Sequence, residues 1–505
     1  MSMKAVLRGV FASAVVLTLT ACSGGVVPEP SRSPETIPAE FVPFYSQTLE
    51  WSDCHEDMLC TTAIAPMDWA EPAGETIELA LVKHEASASK KLGSLFVNPG
   101  GPGASGVDFV VDSLDYAVSG AVQKNYDVIG FDPRGVGAST AVVCVDSPAE
   151  LDEYLFGELS ADRGSTDWFA ERGAASAAFS QGCLERTGDL LAHVDTVSAA
   201  HDLDMLRSAV GDRELNYLGY SYGTLLGAIF AENFPGYVGR MVLDGALDPS
   251  STSFDVNLTQ SIGFENALRA YLDECIVNEE CPFTGTTDEA MLKIGQLLAD
   301  LDASPLTASD GRVLAADAML MAIIAPLYST EAWGYLSNIF VAVNDGDADT
   351  AFVAVDWYYN RSEDGTYSDN STESFMAINC LDYPVTSDPA QWAADAKVLA
   401  REAPLIGPYL SYGDQLCSQW PFAAVMSPQK VSAKGAGDIL VVGTTGDPAT
   451  PYRWAQSLAA QLEGGHLVTY NGEGHTAYNK SNSCVNNAVD GFLLRGKVPA
   501  TDPQC

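Results

Sequence analysis

A pentapeptide near the middle of the chain, Gly219-Tyr220-Ser221-Tyr222-Gly223, matches the pattern G-x-S-x-G. It follows a short apolar run at residues 215–218 and precedes a helical pattern that begins at Thr224. A sharp turn from a strand into a helix needs glycine on both sides of the serine and exposes the serine hydroxyl. Ser221 is therefore a candidate nucleophile for acyl transfer, with the amide of Tyr222 as one oxyanion donor. The alternative is a glycine-rich turn whose serine has no chemical role.

A serine nucleophile needs a base to accept its proton, and the chain contains six histidines. His466 lies immediately before an apolar run, and four others precede the first firm strand or lie at or within helical patterns (His55, His84, His193 and His201). His475 follows a strand, in the flexible loop Asn471-Gly472-Glu473-Gly474-His475-Thr476. This position selects His475 as the base, and the alternative is a histidine of a surface loop.

The base needs a carboxylate to hold its tautomer. Asp447 lies in the turn after the apolar run at residues 439–442, 28 positions before His475, which leaves room for one helix and one strand. The chain order Ser221, Asp447, His475 is the order found in α/β-hydrolases. Asp447 could instead stabilise its own turn, and Asp244, which follows another strand, is the reserve candidate.

A second oxyanion donor is predicted in the loop Asn98-Pro99-Gly100-Gly101-Pro102-Gly103, which follows an early apolar run. Consecutive glycines let backbone amides approach an intermediate that a Cβ atom would obstruct. The amide of Gly101 or Gly103 is the candidate, since Pro102 has no N–H. The loop matches in position the one that completes the oxyanion hole in α/β-hydrolases.

Six short apolar runs, closed by glycine-rich or polar turns, have the pattern of buried parallel strands. They lie at residues 95–97, 126–131, 215–218, 241–243, 439–442 and 467–470. Helical patterns separate several of them, so the sequence predicts an α/β layered sheet with ligands at the carboxyl ends of its strands.

The strand rhythm stops between residues 248 and 438, where helical patterns follow one another at 288–301, 316–325, 330–343 and 389–402. We predict an α/β-hydrolase fold with a large, mostly helical cap inserted between the sixth and seventh core strands. The predicted segments are an export signal (1–21), a tether (22–44), the first part of the core (45–248), the cap (249–437) and the second part of the core (438–505).

The N-terminal segment has the features of an exported lipoprotein. Lys4 and Arg8 precede an apolar run at residues 10–19, which is shorter than the ~20 residues that span a bilayer. Small residues before Cys22 resemble a bacterial lipobox, which predicts lipidation of Cys22 and an extracellular, cell-surface protein; an ordinary signal peptide is the alternative. The Pro-rich stretch to residue 44 reads as a flexible tether.

The charge balance excludes two classes of partner. The 505 residues include 26 Lys+Arg and 67 Asp+Glu, for a formal net charge of −41, and 47% of them are hydrophobic. The hydrophobic content is that of a globular protein. No stretch is basic enough to bind nucleic acid, and the charge opposes adsorption to anionic lipid, so membrane contact is expected through the lipid anchor alone.

The cysteines favour an oxidising compartment. Of eleven cysteines, ten remain when Cys22 is set aside, an even number. Metal binding is the weaker interpretation of the cysteines, because there is no C-x-x-C pair and no histidine at ligand spacing. The serine mechanism itself needs neither a metal nor an organic cofactor. Pairing between neighbours is the simplest connectivity: Cys54–Cys60, Cys144–Cys183, Cys275–Cys281, Cys380–Cys417 and Cys484–Cys505.

From about Trp51 to Cys505 the chain resembles the secreted tripeptidyl aminopeptidases of actinobacteria, which are α/β-hydrolases related to proline iminopeptidases. The resemblance rests on four motifs: Val97-Asn98-Pro99-Gly100-Gly101-Pro102-Gly103, Phe131-Asp132-Pro133-Arg134-Gly135, Gly219-Tyr220-Ser221-Tyr222-Gly223-Thr224 and Gly446-Asp447-Pro448-Ala449-Thr450-Pro451. It implies Ser221 as nucleophile, Asp447 as orienting carboxylate and His475 as base.

The resemblance implies a serine exopeptidase that releases short N-terminal peptides, tripeptides foremost, from peptide substrates. Such an enzyme must bind the free ammonium of its substrate, and Asp382 in the predicted cap is the candidate carboxylate. Thr450 is expected to brace the Asp447 loop, and the protein is expected to be a monomer. The alternatives are a carboxylesterase or lipase with the same triad and an inactive surface-binding lipoprotein.

Overall fold

The computed structural model describes residues 37–157 and 159–505. The predicted export signal, the lipidation site Cys22 and the tether up to residue 36 lie outside the described residues. Contacts divide the chain into Met1–Ala39 and a compact unit, Glu40–Cys505, which contains every element described below. Phe44 is buried in the core of that unit, so the end of the predicted tether packs as part of the globular structure.

Eleven strands are present in the described residues. Nine form the central sheet, in the order β1-β2-β3-β5-β4-β6-β7-β10-β11, and β8 pairs with β9 elsewhere. The strands are β1 (Ser52–His55), β2 (Met58–Pro66), β3 (Thr76–His84), β4 (Ser94–Asn98), β5 (Asp127–Phe131), β6 (Leu215–Tyr220), β7 (Val238–Asp244), β8 (Leu306–Thr307), β9 (Val313–Leu314), β10 (Ile439–Gly446) and β11 (Gly465–Glu473).

The six predicted apolar runs are the six parallel strands, from β5 through β4, β6, β7 and β10 to β11. Five of them are largely buried on both faces, which is why their sequences are mainly apolar, whereas β11 lies at the edge of the sheet and is only partly buried. Three antiparallel strands, β1 to β3, extend the sheet at one edge and were not predicted. Their burial alternates or is lost, so polar residues interrupt the apolar pattern.

The helices lie before, between and after the strands. They are α1 (Val42–Tyr45), α2 (Gly106–Ala117), α3 (Gly120–Asn125), α4 (Pro148–Phe156), α5 (Thr166–Thr187), α6 (Thr196–Ala209), α7 (Tyr222–Asn233), α8 (Ser253–Cys275), α9 (Thr287–Ala303), α10 (Ala316–Leu327), α11 (Trp333–Asn344), α12 (Asp349–Tyr359), α13 (Ser371–Asp382), α14 (Pro389–Glu402), α15 (Gly407–Leu410), α16 (Asp414–Cys417), α17 (Arg453–Gln461) and α18 (Ser483–Arg495). Among the helices of the described residues, none is both long and apolar enough to cross a bilayer.

Helices α8 to α16 form the insertion between β7 and β10. Counted along the chain, the insertion follows the seventh strand of the sheet instead of the predicted sixth, because β1 to β3 all join the sheet before it. Its apolar side chains divide between two clusters. The first cluster is the core under the sheet and includes Ala377, Ile378 and Leu381 of α13. The second cluster is built mainly from α8 to α12, around Leu268 and Phe340.

All five predicted cysteine pairs are joined by disulfides in the structure. The Cys380–Cys417 bridge joins α13 to α16 within the insertion. His55 lies beside Cys54 and Cys60, but those two sulfurs are bonded to each other and are not free thiolates. Five bridges fit an oxidising compartment outside the cytoplasm.

Candidate active site

Ser221 lies at the sharp turn between β6 and α7, with φ at 54° in the left-handed region. Its N–H donates to the carbonyl of Asp244 on β7 over 2.9 Å, and its carbonyl accepts from Thr224 N over 2.8 Å. A Cβ on Gly219 would lie 2.3 Å from the carbonyl oxygen of Gly223. The turn therefore requires glycine beside the serine, as the G-x-S-x-G pattern predicted.

His475 and Asp447 form a hydrogen-bonded pair on the loops that follow β11 and β10. Nδ1 of His475 lies 2.9 Å from Oδ1 and 3.0 Å from Oδ2 of Asp447. The carboxylate is fully buried, whereas 13% of the histidine side chain is exposed. Because β10 and β11 are parallel neighbours, both loops leave the same edge of the sheet, and this brings together residues 28 positions apart.

The Asp447 carboxylate is held by its own loop and by the residue that follows His475. It accepts from Ala449 N over 3.0 Å, from Thr450 N over 2.8 Å and from Thr476 N over 3.1 Å. The hydroxyl of Thr450 donates to Oδ2 over 2.9 Å and lies 3.2 Å from Nδ1 of His475. These donors fix the orientation of the carboxylate toward the imidazole.

Asp244, the reserve candidate, holds the chain that follows His475. Its carboxylate accepts from Ala477 N over 3.0 Å and from Tyr478 N over 2.7 Å. Burial raises the pKa of Asp244, and the positive charge of Lys480 opposes that rise. The structure therefore gives Asp447 the contact with the imidazole and Asp244 the placement of the loop.

Ser221 and His475 lie against the same two-residue segment. The Asp244 carbonyl accepts from Ser221, and a Cβ on Gly245 would lie 3.3 Å from Cε1 of His475. Within residues 37–157 and 159–505, no hydrogen bond joins the Ser221 hydroxyl to His475. Such bonds are often long until substrate is present, so this geometry is compatible with a serine–histidine pair.

The glycine loop after β4 lies directly on the nucleophile turn. A Cβ on Gly100, which has a φ of 103°, would lie 2.9 Å from Cβ of Ser221. Among the described residues, no backbone acceptor contacts the amides of Tyr222, Gly101 or Gly103. Gly101 follows Gly100 directly, whereas Gly103 packs against α13, so Gly101 is better placed to face the serine.

Asp382 does not line an open site. It is 2% exposed, and its two carboxylate oxygens accept from the N–H of Thr196 over 2.9 Å and from the Thr196 hydroxyl over 2.5 Å. A substrate ammonium cannot reach a carboxylate enclosed in this way. The expectation that Asp382 binds the substrate amine is therefore corrected, because α13 packs into the first cluster and turns this carboxylate inward.

Tyr328 is a contact of the site that the sequence did not indicate. The carbonyl of Tyr328 accepts from the backbone N–H of His475 over 2.8 Å. Its ring contacts the imidazole edge-on, with 5.4 Å between the ring centroids. Tyr328 ends α10 of the insertion, 147 residues before the histidine, and nothing in the local pattern marks the pairing.

Comparison with known proteins supports the family resemblance. Residues 93–309 match the family described as alpha/beta hydrolase fold, and residues 403–505 match the family described as TAP-like protein. The chain belongs to the TAP-like family of α/β-hydrolases. It is therefore an enzyme, and the predicted fold class and family are confirmed.

Three curated relatives are similar to this chain over most of their length and are named for different activities. Serine protease Hip1 of Mycobacterium tuberculosis is 35% identical over 487 residues, 92% of each chain. Carboxylesterase B of the same organism is 36% identical over 482 residues, 92% of this chain and 91% of the relative. Tripeptidyl aminopeptidase of Streptomyces lividans is 32% identical over 470 residues, 90% of this chain and 86% of the relative.

Proposed function

We propose that the protein is an extracellular serine exopeptidase that removes short N-terminal peptides, tripeptides foremost, from substrates with a free amino terminus. The observation that carries the proposal is the bond of His475 Nδ1 to both oxygens of buried Asp447, beside the strained turn at Ser221. The name of the Streptomyces relative supports the release of tripeptides.

The chemistry follows from these positions. His475 accepts the Ser221 proton at Nε2 while the hydroxyl oxygen attacks the scissile carbonyl, and Asp447 stabilises the imidazolium that forms. The amides of Tyr222 and Gly101 donate to the oxyanion. The histidine then gives its proton to the leaving amine, which departs as the shortened peptide. Water, deprotonated by His475, hydrolyses the acyl-enzyme and frees the N-terminal fragment.

An accessible carboxylate for the substrate ammonium is needed in place of Asp382. Glu473, the last residue of β11, lines a cavity of about 370 Å³ that also borders the Asp447 loop. Asn266 and Arg453 contribute polar groups to the same cavity. We assign the ammonium-binding role to Glu473, two residues before His475.

A substrate panel tests the proposal. Chromogenic substrates would comprise a free-amine tripeptide, the same tripeptide with a blocked amine, a single residue and a short ester, each with wild type and Ser221→Ala. We expect the free-amine tripeptide to be preferred and all turnover to disappear in Ser221→Ala. Equal cleavage of the blocked tripeptide would remove the exopeptidase assignment, and activity in Ser221→Ala would remove the nucleophile.

Ester hydrolysis is the second candidate function. The triad and oxyanion donors would act on an ester as they do on an amide, and the relative named carboxylesterase B is as similar to this chain as Hip1 is. Turnover of the ester with none of the peptides would favour this function.

We propose membrane attachment through a lipid on Cys22 from the sequence alone. The full-length protein would be expressed in cells that are supplied with a labelled lipid precursor. Incorporation of the label into the wild type, but not into Cys22→Ala, would support the anchor.

A further inference from the structure

Helix α13 contacts the glycine loop directly and is linked to the side chain of Tyr222, the residue after Ser221, through Thr196. At its first turn, a Cβ on Gly103 would lie 2.6 Å from the carbonyl oxygen of Ser371 and 2.9 Å from the N of Phe375. At its last residue, Asp382 faces the N-terminus of α6. One helix of the insertion therefore touches the glycine loop at one end and approaches the nucleophile turn at the other.

The second contact runs through Thr196. The Thr196 hydroxyl donates its single proton to Oδ2 of Asp382 over 2.5 Å, and the hydroxyl oxygen also bonds to the hydroxyl of Tyr222. Since Thr196 has no second proton to give, Tyr222 must be the donor. Burial raises the pKa of the Tyr222 hydroxyl well above its usual value, so that proton is retained.

When Asp382 is ionised, the relay therefore runs from Tyr222 through Thr196 to Asp382. All three residues are almost fully buried, at 4%, 0% and 2% exposure. Bonds in such surroundings are strong, and an unpaired hydroxyl there is costly.

Tyr222 matters because it follows the nucleophile directly. Its N–H opens α7 and has no backbone acceptor in the described part of the chain, as an oxyanion donor requires. Oxyanion stabilisation depends on donors held where the negative charge develops. A side chain tied to α13 restricts how that amide can turn.

We infer that Asp382 is a positioning residue that acts through Thr196 and Tyr222 to set the oxyanion hole at Ser221. The inference rests on the proposed acyl transfer at Ser221, of peptide or ester alike. It gives the insertion a part in the chemical step.

Ionisation of Asp382 affects the relay. Burial raises the pKa of Asp382 to about 7, and the nearby negative charge of Asp195 adds to the rise. The titratable groups that face the relay are Asp195, which precedes α6, the Tyr222 hydroxyl of α7 and Tyr383, which follows α13; Tyr217 on β6 also faces the Tyr222 hydroxyl. Above this pH the carboxylate accepts both Thr196 bonds, and below it a protonated oxygen must donate.

The experiment measures kcat and KM for the free-amine tripeptide and for a p-nitrophenyl ester. Thr196→Val and Tyr222→Phe each remove one hydroxyl with little change of shape, and kcat should fall about 10-fold with KM within about twofold. Thr196→Ser restores the hydroxyl and should restore kcat. Glu373→Gln is the matched control, because Glu373 is a buried carboxylate of α13 that accepts from Cys144 N and does not join the relay.

Asp382→Asn adds a pH test. In the wild type, kcat should carry an ionisation near pH 7 that Asp382→Asn lacks, and combining Asp382→Asn with Thr196→Val should cost no more than Thr196→Val alone. Thermal unfolding shows which variants are folded. If Asp382→Asn does not fold, the kcat values of Thr196→Val and Tyr222→Phe test the inference.

The outcomes separate this inference from the proposed function. If kcat is unchanged in folded Thr196→Val and Tyr222→Phe while Ser221→Ala is inactive, the relay has no part in acyl transfer and the inference is overturned. An equal loss in Glu373→Gln would also overturn it, since the effect would then be one of packing. If wild type hydrolyses neither substrate, the proposed function fails and the inference fails with it.

Discussion

The hydroxyl oxygen of Thr450 lies 3.2 Å from Nδ1 of His475, while its proton is directed to Asp447. One threonine thus contacts both members of the carboxylate–imidazole pair. Thr450→Val removes the hydroxyl and keeps the branched shape, and we expect kcat to fall about 10-fold, since a hydrogen bond to a charged group contributes ~1.5–3 kcal/mol. Steady-state kinetics with Thr450→Ser, which should remain near wild type, provide the control. A wild-type kcat in Thr450→Val would contradict this assignment.

Asp447→Asn should lower kcat by a factor on the order of 10⁴, because the amide favours the wrong imidazole tautomer. Asp244→Asn keeps one oxygen to accept from the backbone amides after His475 and should cost about 10-fold or less. Single-turnover kinetics on the two variants would compare the roles directly. Equal losses would mean that the reserve candidate shares the orienting role.

Glu473→Gln should raise KM for the free-amine tripeptide by about 10-fold, because a neutral amide attracts an ammonium less strongly than a carboxylate does. The blocked tripeptide carries no ammonium, so its KM should be the same in both proteins. Steady-state kinetics on the two substrates measure the difference. A parallel change for both substrates would show that Glu473 shapes the cavity without recognising the amine.

The raised pKa of Asp382 predicts how stability depends on pH. Folding favours the protonated form, so this group stabilises the fold fully below the unfolded pKa near 4 and the contribution is lost as pH rises to about 7. Relative to Asp382→Asn, the wild-type free energy of unfolding should therefore decrease by roughly 4 kcal/mol between pH 4 and 7. Urea titrations at several pH values measure this difference, and a constant difference would mean that Asp382 has an ordinary pKa.

Local sequence patterns are sufficient to predict the parallel strands and the candidate triad. β4, β6 and β10 are buried on both faces, so an unbroken apolar run identifies each one without knowledge of its neighbours. Short, polar turns follow these strands. Because parallel strands all end at the same edge of the sheet, these turns lie close to one another. The positions of Asp447 and His475, each just after a parallel strand, therefore predict their contact, which is 2.9 Å in the structure.

The rest depends on packing between distant segments. Strand β1 is exposed along its length, so no apolar pattern marks it. Asp382 lies in α13, and the packing of Ala377, Ile378 and Leu381 under the sheet determines which face of this helix is buried. The local sequence alone is equally compatible with an exposed Asp382 side chain. Its partner Thr196 is 186 positions away, beyond the reach of any local pattern.

The division of the insertion between two apolar clusters means that each cluster supports a different part of the active site. Helix α13 is fixed to the core by its apolar face and by Ser374, whose hydroxyl donates to the carbonyl of Gly135. The second cluster, built mainly from α8 to α12, is fixed to the core at a different place, because Gln260 of α8 donates to the carbonyl of Ala449 in the Asp447 loop over 2.8 Å. Tyr328 packs on that cluster and accepts from the backbone N–H of His475, so the histidine loop rests on the second cluster, whereas the glycine loop rests on α13.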